Sequence, residues 1–591
     1  MRNVKKISFL LMMMLLLTVM AGCGSSTVAQ LEDGVFSGVG QGHNAEIQTE
    51  VTVEDGKIKD IEVISHKETP VLSDSIFGEL KDMMVEHNST NIDTVSGATI
   101  TSVGFRNAVR NALEQAGATD EYLEQGKKIS LRFGVADEEK EYDVVVVGAG
   151  GAGMIAAIEA KSQGVNVAII EKNPFVGGNT LVSGGEFNAP NSWVQELMGV
   201  EDSVEQYIED TLSGGDYEGN EELVRIMAEN ISADGEWLRD YVEVEFIEDY
   251  LMHFGGHSVP RAIYPIGGSG IELIQKLERK VHEMEIPLYT KTKANDLIVD
   301  ENNRVIGVSA ENPEGNMINF YGTNGVVLTT GGFGANLEMV QKYNDVIDDR
   351  YKSTNQKGAT GDGVYMAQEV GADVTDMAFV QTYPTCNPLT GHLSYVADTR
   401  FDGAILVNKG GERFVEEMDR RDVISEAILA QEDTFGYLMW DETIRNNSNM
   451  DSYLTEFENL EKYGLVVKAD TIEEAAAFFE IDAETLKSTI ERYNGFVEKG
   501  EDEDFQRRGN LAALKEGPYY IQQVTPAIHH TMGGLRINGD AQVISTEGEW
   551  IEGLYAAGEV TGGVHGKNRL GGNAISDLIV FGRIAGRNAA Q

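Results

Sequence analysis

Four consecutive valines, Val144 to Val147, run straight into Gly148-Ala149-Gly150-Gly151-Ala152-Gly153 and then into a helix-period stretch from Met154 to Gln163. An uncharged β-branched run suits a strand buried on both faces of a parallel sheet, and such a sheet requires a crossover helix. The glycines divide the turn between them. Gly148 permits the tight turn, Gly150 lets backbone approach a pyrophosphate, and Gly153 lets the helix pack closely on the strand. By itself this cluster is a weak signal, since ordinary helix–strand packing uses the same residue type. A second strand, Val167 to Ile170, ends at Glu171, 23 residues after Gly148, where a carboxylate accepts hydrogen bonds from a ribose. The pattern predicts an α/β, Rossmann-type dinucleotide-binding domain and leaves FAD or NAD open.

The 591 residues suffice for several domains. Lys and Arg number 47 against 96 Asp and Glu, a net charge of −49, which repels phosphate backbones and excludes nucleic acid as a partner. Two cysteines, Cys23 and Cys386, exclude a Cys-based zinc site, an iron–sulfur cluster and a CxxCH haem attachment, so redox chemistry needs another cofactor and no metal site is predicted. Arg2, Lys5 and Lys6, the apolar run Ile7 to Met20, and Ala21-Gly22-Cys23 form a secretory pattern too short for a comfortable membrane span. The segment resembles a bacterial lipobox, with plain cleavage or an uncleaved anchor as alternatives. The expectation is a leader over residues 1–22, lipid on Cys23, and a protein anchored to the cell membrane on its extracytoplasmic face.

Alternating strands from Ala45 to Val53 and Lys57 to Ser65, then a helical stretch from Val103 to Gln115, predict a small α+β unit over residues 33–117. Residues 118–141 read as a linker. The remainder reads as an α/β fold in two parts (142–377 and 531–591) with an inserted capping domain (378–530) between them.

Asp93-Thr94-Val95-Ser96-Gly97-Ala98-Thr99 alone is readable as a turn and helix cap. In context, residues 33–117 resemble an FMN-binding domain whose D-x-x-[ST]-G-A-T motif receives FMN through a phosphoester. The resemblance implies covalent FMN on Thr99 and a flavin transferase as maturation partner. Downstream, Gly177-Gly178-Asn179-Thr180, Ser183-Gly184-Gly185, Gly331-Gly332-Phe333, Gly361-Asp362-Gly363 and Gly553-Leu554-Tyr555-Ala556-Ala557-Gly558-Glu559 recur in order. Together they resemble the soluble, single-chain branch of the fumarate reductase and succinate dehydrogenase flavoproteins over residues 142–591. That resemblance implies FAD contacts at Ala152, Glu171, Asn179, Thr180, Gly184, Ala294, Asp362, Glu559 and Ala574. Members of the membrane complexes attach FAD through a histidine in the segment where Asn179 stands here, so non-covalent FAD is expected.

Such flavoproteins reduce an activated C=C bond. By resemblance, Arg421 in Arg420-Arg421-Asp422 is the proton donor, Arg400 the proton-delivery arginine, and His530 and Arg569 hold the substrate carboxylate, the guanidinium fork suiting bidentate binding. Two positions depart. Gln381-Thr382-Tyr383-Pro384-Thr385 carries Tyr383 where this branch has a histidine for the second carboxylate, and Ala397, with Asp398 beside it, replaces the family's glutamate. A neutral packing swap is one explanation. Glu186 and Phe254 argue for another. If Glu186 and Asp398 border the pocket as anions, a second carboxylate at about 4 Å is repelled by roughly 4 kcal/mol per charge at an effective dielectric near 20. A ring with N–H donors is matched instead, with the acids accepting, Tyr383 offering a polar contact and Phe254 stacking. The set Tyr383, Asp398, Glu186, Phe254 resembles the urocanate reductase branch, which implies a urocanate substrate and electrons relayed through FMN from a membrane-associated quinol or flavin donor. Reduction of fumarate or another 2-enoate such as cinnamate, and a lipid-anchored electron carrier without organic substrate, stand as rivals.

Overall fold

The computed structural model describes residues 31–41, 46–67, 72–92, 99–123, 136, 138–448 and 450–591. The chain forms two compact units, residues 1–135 and 136–591. Cys23 and the segment 93–98 lie outside the described residues. No helix among the described residues is long and apolar enough to cross a membrane.

In the first unit, Gly34–Gln41, Glu46–Glu54 and Lys57–Ser65 form an antiparallel meander. Period-two burial puts Ile47, Val51 and Val53 on one face, where the helix Thr99–Gln115 covers them with Phe105 and Val109. A Cβ at Gly38 or Gly40 would overlap carbonyl oxygens of that helix, so both glycines are needed for its close approach. Leu31 and Leu123 join this core, which therefore reaches beyond the limits 33 and 117. The expected linker holds a short helix, Asp120–Leu123, and the next strand starts at Glu138 rather than Tyr142.

The second unit is built on an eight-stranded sheet. Glu138–Val147 is its centre, parallel to Met317–Leu328 on one side and Val167–Ile170 on the other. The helix Gly151–Ser162 follows the glycine turn and packs on the C-terminal helix Asn573–Ala589, where a Cβ at Gly586 would overlap the Ala156 carbonyl. A second sheet has Tyr519–Thr531 at its heart, paired with Val380–Cys386, Gly436–Asp441 and Val466–Ala469. Around it lies a separate core containing Trp440, Tyr520, Tyr437 and Leu486. The 13-residue strand Tyr519–Thr531 starts in that core and ends at the cavity described below, so a division at residue 530 cuts a continuous strand.

Candidate active site

Gly148 takes φ +107°, and a Cβ there would overlap the Thr329 carbonyl oxygen. Gly153 is closed off in the same way by the Gly148 carbonyl, so it serves helix–strand packing and does not line the cavity. Gly150 is different. A Cβ there would face open space, its nearest neighbour Gly177 O at 3.9 Å. Gly148 and Gly150 open onto a cavity of about 690 Å³ that is also lined by Ala152, Glu171, Asn179, Thr180, Gly184, Ala294, Asp362, Glu559 and Ala574.

The polar groups along this stretch are set for a dinucleotide. Glu171 Oε2 accepts from Ala149 N at 2.9 Å and Oε1 from Asn173 N at 2.7 Å, fixing the carboxylate beside the glycine turn. Lys172 Nζ meets Asp362 Oδ2 at 2.7 Å; burial works against the Asp362 charge, yet Lys172 and Thr360 hold its carboxyl below the usual range. Asn179 donates to Asn355 Oδ1 at 2.6 Å and to Glu559 Oε2 at 3.0 Å, and accepts from Gln356 N at 2.8 Å. Thr330 Oγ1 and Arg569 Nε are buried with no protein partner. An open glycine cradle, a carboxylate at the end of the second strand and unpartnered polar atoms further along fit FAD.

Two arginines converge at the other functional groups of the cavity. Arg421 begins the helix Arg421–Leu429, and Arg569 lies in the loop before Asn573–Ala589. Arg421 Nη1 donates to Gln381 Oε1 at 3.0 Å, and Arg569 Nη2 donates to the same oxygen at 2.9 Å. Gln381 Nε2 is anchored in turn on Asn568 Oδ1 and the Arg569 carbonyl, both at 2.8 Å. Burial and the neighbouring Arg421 push Arg569 down to about 9, and burial also lowers Arg421. The Arg421 guanidinium stands 4.8 Å over the Tyr383 ring, and Tyr383 Oη lies 3.5 Å from Asp398 Oδ1. Tyr383 thus connects the arginines to an acidic group, and Glu186 and Phe254 line the same cavity, the Phe254 ring packed against Gly571.

Three findings depart from the sequence reading. Arg400 does not line the cavity; it is 3% exposed, with Nη1 donating to the Glu417 carbonyl at 2.7 Å and Nε unpartnered. His530 lines it, Nδ1 lying 3.5 Å from Glu559 Oε1, but His529 does so as well, its ring 5.3 Å from that of Tyr383 and its Nδ1 3.0 Å from Thr354 Oγ1. Burial keeps both imidazoles well below their usual range, so both are neutral. Finally, the acids are not simply two anions. Burial pushes Glu186 up, and burial with nearby Glu456, Asp402 and Glu186 pushes Asp398 up to about 7 against the pull of Arg400. The charge at this end therefore depends on pH.

Sequence reasoning also passed over Gln381 and the tyrosines Tyr250, Tyr264, Tyr395 and Tyr453, all four of which line the cavity. Tyr395 and Tyr453 stack at 5.3 Å and 12°. Aromatic faces beside acids are a setting for a flat ring carrying N–H groups.

The FAD binding domain family matches residues 143–575 and the FMN-binding domain family residues 42–114. A urocanate reductase from Eggerthella lenta is 40% identical over 96% of this chain and 96% of its own. The chain belongs to the fumarate reductase-like FAD flavoproteins. A cytochrome-type fumarate reductase of Shewanella frigidimarina is 39% identical over 76% of this chain and 77% of its own. Among solved structures, the open conformation of a flavocytochrome c3 fumarate reductase superposes with a TM-score of 0.68 at 40% identity, covering 77% of this chain and 79% of that one. The two family matches assign FAD to the second unit and FMN to the first, and the protein is an oxidoreductase of the class acting on CH–CH bonds.

Proposed function

We propose that this enzyme reduces urocanate to imidazole propionate. The observation that carries the reading is Tyr383, whose ring lies under the Arg421 guanidinium and whose hydroxyl faces Asp398. An enoate with a carboxylate at one end and an imidazole at the other matches that span, and the likeness to the Eggerthella lenta urocanate reductase supports it.

FAD, when bound, supplies a hydride to one alkene carbon. Arg421 is placed to give a proton to the neighbouring carbon, and its burial, which lowers its proton affinity, favours that transfer. Arg569 and His530 bind the substrate carboxylate and stabilise negative charge developing on it. Gln381 ties the two arginines together and keeps them in register, sharing one carbonyl oxygen between them. Asp398 and Glu186 accept from ring N–H groups, and Phe254 covers the ring. Arg400 lies behind this surface and reaches substrate only through other groups. An electron carrier without its own substrate has no need of Arg421, Arg569 and His530 in one cavity.

Thr99, the residue that opens the helix Thr99–Gln115, would hold FMN as a phosphoester, and FMN there would supply FAD with electrons from a membrane-associated quinol or flavin donor in anaerobic respiration. A flavin transferase loads the FMN, and lipid on Cys23 keeps the enzyme on the extracytoplasmic face of the membrane. Thr99→Val is expected to abolish flavin fluorescence in a denaturing gel, and Cys23→Ser to release the protein from membranes without detergent. Retention of either property removes that assignment.

Substrate is tested by anaerobic reoxidation of chemically reduced, flavin-loaded enzyme with urocanate and, separately, fumarate, in wild type and Tyr383→His. Urocanate is expected to react at least tenfold faster in wild type, with the ratio moving toward fumarate in the variant. A wild type that prefers fumarate refutes the pocket reading and leaves only the family.

A further inference from the structure

The turn Val396–Asp402 contributes Asp398, Thr399, Phe401 and Asp402 to the cavity lining, and Tyr395 just before it adds the ring stacked on Tyr453. This wall is held from behind. Glu456, on the helix Leu454–Lys462, does not line the cavity, yet Ser394 Oγ donates to its Oε1 at 2.7 Å and Tyr395 N donates to its Oε2 at 3.1 Å. Gln522 Nε2, from the long strand Tyr519–Thr531, donates to Ser394 Oγ at 2.8 Å. Ser394 and Gln522 are fully buried, so Glu456 closes a network whose donors have no water to fall back on.

We propose that Glu456 is a positioning residue for the ring-binding wall, one half-buried carboxylate fixing both Tyr395 and the turn that presents Asp398. The inference rests on the reading that this wall meets the substrate ring. The surrounding charges give Glu456 a second effect. Asp398 is faced by Arg400 and Asp402 from its own turn, Arg421 from the helix Arg421–Leu429, Glu186 from the loop after Gly184-Gly185, the phenols Tyr383, Tyr264 and Tyr395, the Cys386 thiol, and Glu456. Among the anions, Glu456 does most to favour the protonated form of Asp398. Binding of an imidazole weakens on the acid side, where the carboxyl has lost its charge and the protonated ring loses its ionic hydrogen-bond partner. Removing the Glu456 charge moves that limb to lower pH.

The test uses the flavin-loaded full-length enzyme and the variants Glu456→Gln, which keeps one acceptor and loses the charge, and Glu456→Ala, which loses both. With urocanate, E456Q is expected to raise KM severalfold with kcat within twofold, and to move the acid limb of the KM profile down by roughly half to one pH unit. E456A is expected to raise KM further. A purely structural role would lower kcat and thermal stability together and leave the limb where it is; that result, or an unchanged KM in E456Q, overturns the proposal. Failure of wild type to reduce urocanate refutes the preceding section instead. The Glu456 assignment is then decided with fumarate or cinnamate, whichever is reduced, since a wall-positioning residue must raise KM there while sparing kcat. If E456A fails to fold, E456Q alone decides.

Discussion

A dicarboxylate should bind this pocket progressively worse as pH rises above neutrality, and the size of the effect follows from Asp398. Two full charges about 4 Å apart repel by roughly 4 kcal/mol at an effective dielectric near 20. That figure is a ceiling the protein never reaches, because Asp398, pushed up to about 7 by burial and its acidic neighbours, escapes the repulsion by taking a proton. The penalty for a second substrate carboxylate is then the cost of protonating Asp398, close to zero below pH 7 and about 1.4 kcal/mol for each pH unit above it. KM for fumarate is therefore expected to climb about fivefold between pH 7 and pH 8, since half of Asp398 is already ionised at its midpoint, and about tenfold from pH 8 to pH 9. KM for urocanate should stay flat over the same interval, since a neutral imidazole still donates an N–H to the ionised carboxylate. Asp398→Asn, which cannot ionise, should flatten the fumarate profile. Steady-state kinetics at saturating electron donor across pH 6–9 reads both curves. A fumarate KM independent of pH, or a slope that survives in D398N, refutes the reasoning.

Gln381→Leu removes the oxygen shared by Arg421 and Arg569, two charge-assisted hydrogen bonds of about 1.5–3 kcal/mol each, and leaves two buried guanidinium groups facing one another. It should lower kcat/KM for every enoate by 10²-fold or more while FAD stays bound; unchanged turnover would show that the arginines hold their places without it. Asp398 should also appear in folding. Its folded value of about 7 exceeds the ordinary 3.8, so its contribution to stability is complete below about pH 4 and lost by about pH 7. Urea midpoints of wild type should accordingly fall relative to D398N between about pH 4 and pH 7 and stay level above it; a constant difference would place the carboxyl in solvent.

The nucleotide end was legible because backbone conformation constrained its residue types. Gly148 needs φ +107°, Gly153 has no room for a Cβ, and Gly150 must leave space, so three different physical demands all appear as glycine at fixed spacing. The chemical end was legible only in part. Arg421 and Arg569 stand in motifs, but Gln381, the group that ties them together, lies 40 and 188 residues from them and becomes informative only when the register of Val380–Cys386 on Tyr519–Thr531 sets Gln381 opposite His530. The same strand explains the two histidines. Tyr519–Thr531 ends at the cavity mouth where the ladder is irregular between Gln381 and Thr382, and there both His529 and His530 line it, against the usual alternation of faces.

Charge state was the least legible property, for a reason that bears on substrate choice. Counting Glu186 and Asp398 as anions follows from their ordinary acidity, but acidity here is set by burial and by charges such as Arg400, Glu456 and Asp402 that the fold brings beside Asp398. With Asp398 near its midpoint at neutral pH, the pocket rejects a second carboxylate through a proton it can gain or lose, not through a fixed field. A bound imidazole titrates in the same range, so ring and carboxyl together can hold one proton in either arrangement and keep a hydrogen bond in both. Fumarate has no proton to share at neutral pH. On the proposed function, discrimination between the two substrates is expected to come from the pair formed by Asp398 and the ring and to strengthen with pH in step with the ionisation of Asp398.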